Sequence, residues 1–309
     1  MEQNQLSLIQ RLQRPKGKID VVMDTDTYNE IDDQYALSYL ILSREKFNVK
    51  AVYAAPFFNE KSSGPKDGME KSYLEILKIL KLLGLELFKN NVKKGSDRYL
   101  PDEKEPVHSE AAEDLAERAE SYSPEKPLYV VSTGAITNIA SAFLLNPSIQ
   151  DRVVVVWLGG NAYDWPSNRE FNLSQDIAAA RIVFGSGAAM VQLPCMGVVS
   201  SLRTTEPELE YWLRGKNRLC DYLVDTTEKA ISESRRKKCW SRAIWDVSAV
   251  AWLLDETGTA LPDRLVPSPI PEYDNHYAFD FRRHFIRYVY AIDRDKIFSD
   301  LFKKLTMPL

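Results

Sequence analysis

The segment MDTDTYNEIDDQYAL, residues 23–37, gathers four aspartates and one glutamate directly after the apolar run Ile19-Asp20-Val21-Val22. Carboxylates at that density repel one another unless protons or a cation offset the charge. Asp24 and Asp26 stand two apart and leave a strand on the same side, and Asp32 and Asp33 open the helix that follows. A hard divalent cation is the simplest offset, because calcium and magnesium take oxygen ligands. Three histidines and three widely spaced cysteines (Cys195, Cys220 and Cys239) give little support for zinc or copper. Two plainer roles compete: Asp32 as a helix N-cap, and the whole stretch as a solvated acidic loop.

The elements that must position these groups are legible in the hydrophobic pattern. Apolar runs at 19–23, 49–55, 128–133, 153–160 and 188–194 are apolar on both faces and rich in valine, as parallel strands covered on each side require. Helical patterns lie between them, at Asp32–Ser43, Gly68–Leu83, Ser109–Ser121, Thr137–Leu145 and Ser174–Phe184. The alternation predicts an α/β fold with a three-layer, mostly parallel central sheet and helices on both faces. In such sheets ligands sit beyond the carboxyl ends of the strands, where the acidic segment falls. Residues 201–264 read as a mostly helical cap or insertion, Tyr273–Tyr290 as a hairpin, and the final stretch as a helix with Asp293 as its N-cap. We expect one domain over residues 1–309, with 1–17 as an N-terminal extension.

Composition narrows the function classes. A hydrophobic share of 44% with 11% aromatics fits a soluble globular protein. A net charge of −4 supplies no basic field for a phosphate backbone, so nucleic acid is not an expected partner. The run Arg235-Arg236-Lys237-Lys238 reads as a solvated face. The odd cysteine count argues against a disulfide framework, the polar N-terminus lacks a signal-peptide core, and no run reaches the ~20 apolar residues of a membrane span. The expectation is a cytoplasmic protein, with Cys195 and Cys239 as packing residues.

Further segments decide what the acidic cluster resembles. STGAITNIASAF (132–143), WLGGNAYDWPSNREFNLSQDIAAARIVF (157–184) and AIWDVSAVAWL (243–253) follow DTDTYNEIDDQYAL in order. Together they resemble the nucleoside hydrolase family, the inosine-uridine-preferring N-ribohydrolases, whose patterns are D-x-D-P-G-x-D-D, G-P-L-T-N-[IL]-A, E-F-N with D-x-x-A-A, and H-D-P. The resemblance runs from about residue 18 to the final helix. It implies an enzyme that hydrolyses the N-glycosidic bond of a ribonucleoside, holds Ca²⁺ and assembles as a homodimer or homotetramer. By motif match the calcium ligands are Asp26, Asp33, Asp246 and the main-chain carbonyl of Thr137. Asp26 takes the proton of the attacking water. Asp32, Asn59, Asn161, Glu170 and Asn172 bind substrate, with Asp164 and Asn168 as alternatives to Asn161. His108 aligns with a histidine near the leaving group.

Two departures touch the pocket. The acidic turn is two residues longer than the family pattern, with Tyr28, Asn29 and Glu30 in the expansion. Trp245 stands where H-D-P has histidine, and an indole cannot serve as the leaving-group acid. It is placed either stacked on the base or packed in the core, and Trp165 either on the pocket wall or as a loop anchor. Two other functions start from the same residues. One is a ribose- or nucleoside-binding protein with weak turnover. The other is a phosphatase resembling the haloacid dehalogenases, whose opening motif DTDT matches and in which Asp24 would attack phosphate.

Overall fold

A computed structural model describes residues 2–233 and 239–307, so the basic run at 235–238 lies outside the described residues. Six strands alternate with helices in the first two thirds: β1 (Ile19–Thr25), β2 (Phe47–Ala54), β3 (Val92–Lys94), β4 (Leu128–Ser132), β5 (Val153–Leu158) and β6 (Ala189–Leu193). The helices are α1 (Glu2–Arg11), α2 (Asp32–Leu42), α3 (Pro65–Leu82), α4 (Glu110–Arg118), α5 (Thr137–Leu145), α6 (Phe171–Gln175) and α7 (Ile177–Gly185). The last third contains β7 (Arg203–Thr204), α8 (Glu206–Trp212), α9 (Arg218–Glu233), β8 (Arg242–Ala243), α10 (Val247–Leu254), β9 (Asp263–Pro267), β10 (Ile270–Pro271), β11 (Tyr277–Ala278), β12 (Phe285–Val289) and α11 (Arg294–Leu305).

Eight strands form the main sheet in the order β3-β2-β1-β4-β5-β6-β12-β9. Every pairing is parallel except β12 with β9. Side chains alternate across a strand, so β5 sends Val154, Val156 and Leu158 into one core and Val153, Val155 and Trp157 into the other. The first core packs α2, α3, α10 and α11 against the sheet, and the second packs α4, α5 and α7. This is the three-layer arrangement expected from the valine-rich runs. The order in which strands are added reverses between β1 and β4, which opens a crevice at their carboxyl ends.

Four local expectations change. The helix expected at Ser174–Phe184 is two, because Asp176 leaves helical geometry and caps α7 by accepting from the Ala179 amide. Tyr273–Tyr290 is no hairpin: β11 pairs with β10, and β12 enters the main sheet between β6 and β9. The segment 201–264 carries α8, α9 and α10 but also the small β7–β8 ribbon. Cys239 is exposed rather than packed. Asp293 does cap the last helix, accepting from the Lys296 amide.

Candidate active site

The chain leaves β1 at Thr25 and turns immediately, placing Asp26 at the floor of the β1/β4 crevice. Asp26 is fully buried, and neither carboxylate oxygen has a hydrogen-bond partner. Gly134, just past β4, leaves room for it: a Cβ there would lie 3.1 Å from the Asp26 carboxyl carbon. Asp32 begins α2 but caps nothing, since Ile31 holds the cap position without a side-chain bond. Its Oδ2 instead accepts from the Trp245 amide at 2.9 Å, tying α2 to the start of α10. Asp33 accepts from the Thr133 hydroxyl at 3.0 Å and from the Thr25 hydroxyl. Asp246 stands at the cap position of α10. Carboxylate oxygens of Asp32, Asp33 and Asp246 lie within 4.8 Å of one another, all three residues buried.

The electrostatics follow from this crowding. Burial, then the neighbouring Asp33 and Asp32, pushes Asp26 well above the usual carboxylate range. Burial, then Asp32 and Asp33, does the same to Asp246. Asp32 is pushed up to about 7 by burial, with Glu30 and Asp33 adding to it. Buried carboxylates without partners are costly, and a hard cation offsets that cost through oxygen ligation. The orphaned oxygens of Asp26 and the convergence of Asp33 and Asp246 therefore suit such an ion.

Around the carboxylates lies a cavity lined also by Asn161, Glu170, Asn172 and Trp245. Asn172 donates to the carbonyls of Thr133 and Leu158, bracing the ends of β4 and β5. Glu170 accepts from the amides of Gly160, Asn172 and Leu173, so its carboxylate pins α6 while facing the cavity. Asn161 donates to the Ser167 carbonyl and accepts from the Met196 amide. Trp245 is partly buried against the core and lines the cavity as well, combining the two placements expected for it.

Three residues expected at the site are outside the cavity lining. Thr137 does not line the cavity and its hydroxyl donates to Asp176, while the hydroxyl of Thr133, four residues earlier, donates to Asp33. His108 is 69% exposed at its side chain and faces Glu113. Asn59 stands behind the lining and donates to Asn29 Oδ1 at 2.6 Å. Asp164 and Asn168 are not in the lining, although Asn168 supports Asn161 by accepting from its amide at 2.8 Å. Trp165 is 42% exposed and also outside it. Asp24 is buried and accepts from Asn138 at 2.7 Å, away from the cavity. Strand-end position is the signal that finds the residues missed from sequence: Thr133 follows β4, and Cys195 and Met196 follow β6.

Residues 21–284 match the sequence pattern of the inosine-uridine preferring nucleoside hydrolases. The chain belongs to that family. Among curated members, a probable ribonucleoside hydrolase of Dictyostelium discoideum is 35% identical over 72 residues, 23% of this chain and 21% of that protein. The pyrimidine-specific ribonucleoside hydrolase RihA of Escherichia coli is 36% identical over 70 residues, 22% of each chain. The matched stretch thus spans about a fifth of these relatives. Solved nucleoside hydrolases share the fold across nearly the whole length. A purine-preferring ribonucleoside hydrolase from Gardnerella vaginalis superposes with a TM-score of 0.75 at 20% identity, covering 93% of this chain and 98% of its own. A plant nucleoside hydrolase gives 0.73 at 17%, covering 94% and 99%. Within the nucleoside hydrolase family pattern, this chain departs at the β1–α2 turn and at Trp245. Both departures meet the cavity, the first through Asn29 and Glu30, whose carboxylate pairs with Arg242.

Proposed function

We propose that the protein hydrolyses the N-glycosidic bond of a ribonucleoside or related riboside, giving ribose and free base, with Ca²⁺ as its cofactor. The observation that carries this reading is the convergence of Asp32 and Asp33 from the β1–α2 turn with Asp246 from the start of α10, in a cavity that the unbonded Asp26 also lines. Asp26, Asp33 and Asp246 would hold the cation. When bound, a hard divalent cation lowers the pKa of water and fixes a vicinal diol. Asp26, free of competing donors, takes the proton of the attacking water. Asp32, Asn161, Glu170 and Asn172 orient the ribose, and the surrounding carboxylates stabilise the positive charge that develops on the sugar as the C1′–N bond breaks. None of the three histidines lines the cavity, so leaving-group help falls to the face of Trp245. The same reading makes the protein a cytoplasmic homodimer or homotetramer.

Hydrolysis of p-nitrophenyl riboside with and without chelator tests this reading, because the activated leaving group needs no acid. Turnover lost on chelation and restored by calcium is the expected result. Metal binding without release of nitrophenol would instead identify a riboside-binding protein. The phosphatase alternative gains no support from the bonded, recessed Asp24, and release of phosphate from p-nitrophenyl phosphate that Asp24→Asn abolishes would revive it.

A further inference from the structure

A second cavity, of about 590 Å³, opens at the opposite, amino ends of the strands. Its walls come from the segments feeding three adjacent parallel strands: Arg152 before β5, Ser186 and Gly187 before β6, and His284 before β12. Helix α1 closes it with Leu8 and Arg11. The acidic cavity lies at the carboxyl ends of the strands, so a ligand in one does not touch the other.

Arg11 is the group that lacks an explanation there. It is 7% exposed and its Nε has no partner. Its one hydrogen bond among the described residues is a long contact from Nη1 to the Gln150 carbonyl, 3.4 Å. A guanidinium has five donors, and one long bond offsets little of the cost of burying its charge. Helix C-termini attract arginines, but the Phe184 carbonyl near the end of α7 is already taken by Arg283 and Ser268. The carboxylate that bears on Arg11 is Asp151, whose side chain is 61% exposed and lies 3.9 Å from Arg152. His284 adds a buried Nε2 without a partner. The cavity therefore offers two guanidiniums and an unused imidazole nitrogen against one solvated carboxylate.

We propose that this cavity binds a small phosphate-bearing molecule, the phosphoryl oxygens held between Arg11 and Arg152 with His284 Nε2 as a further donor. Guanidinium forks match phosphate oxygens, and the volume leaves room for an organic ester beside the phosphoryl group. The proposal does not rest on the glycosidase reading.

Thermal unfolding of the full chain in calcium-free buffer, titrated with inorganic phosphate or glycerol 3-phosphate against sodium chloride of equal ionic strength, tests it. The expected result is a rise in Tm that grows with the logarithm of ligand concentration and reaches about 5 °C at a hundredfold excess over Kd. Equal affinities would make inorganic phosphate the ligand, and tighter binding of glycerol 3-phosphate would assign the site to an ester. Arg11→Gln and Arg152→Gln should each weaken the apparent affinity roughly tenfold or more, with Asp26→Asn unchanged. If Arg11→Gln does not fold, the more exposed Arg152→Gln decides alone. Amide exchange should slow at 147–152 and 186–188 when the ligand is added. A shift no larger than that of chloride, a response that survives in the folded arginine variants, or protection confined to the acidic cavity would overturn the proposal.

Discussion

At Asp26 the chain buries a carboxylate and gives neither oxygen a donor, an arrangement that costs stability in the absence of a cation. Asp26→Asn should therefore separate activity from stability. We expect kcat on p-nitrophenyl riboside to fall about 10³-fold, the range of a lost general base. Tm measured in chelator should hold or rise, because one repelling charge is gone. An Asn variant with parental kcat would remove Asp26 from the chemistry. Trp245 can be tested on two substrates at once. Its backbone amide, not its ring, binds Asp32, so Trp245→Ala keeps that contact. Loss of a stacking face should lower kcat/KM on inosine or uridine about tenfold, with a smaller effect on the nitrophenyl riboside. Equal losses on both would assign the ring to packing alone.

Among the elements, the turn after β5 shows how strictly local geometry supports the site. Gly160 has φ +74, and an added Cβ would lie 2.0 Å from the Tyr277 hydroxyl and 2.9 Å from Asn168 Oδ1. Its amide also donates to Glu170 Oε2 at 2.8 Å. Gly160→Ala would force a left-handed backbone on alanine and displace the support of both Asn161 and Glu170. A loss of about 3 kcal/mol in urea unfolding is expected, together with a raised KM. Unchanged stability would mean that the turn relaxes freely and that its geometry does not set the ribose-facing wall.

For the molecule as a whole, the sheet places carboxylates beyond the carboxyl ends of its strands, and Arg11, Arg152 and His284 where strands β5, β6 and β12 begin. His284 carries a pH consequence. Burial, then Arg283, pushes its imidazole down to about 4, from an ordinary value of 6.5. The unfolded chain then binds the proton first, so stability declines as pH falls from 6.5 to about 4, and this residue adds no further loss below that. His284→Gln should flatten the corresponding part of a Tm-against-pH curve relative to the parent. Parallel curves would show that the imidazole is as easily protonated folded as unfolded.

Period and strand-end position, both local properties, made the central strands, the helices between them and the place of the acidic turn readable from residue order alone. Order-dependent motifs added Asp33, Glu170, Asn172 and Asp246, all of which line the cavity. Three-dimensional packing decided the rest, because it depends on contacts between distant segments. Asp32 reads as a cap until the Trp245 amide, 213 residues away, claims its oxygen. The motif points to Thr137, yet its hydroxyl is turned toward Asp176, while the hydroxyl of Thr133, just past β4, reaches Asp33. His108 satisfies an alignment, but the helix it precedes faces it toward water and Glu113. Whether β12 closes a hairpin or completes the sheet turns on which neighbour offers an unpaired edge, and β6 and β9 both do.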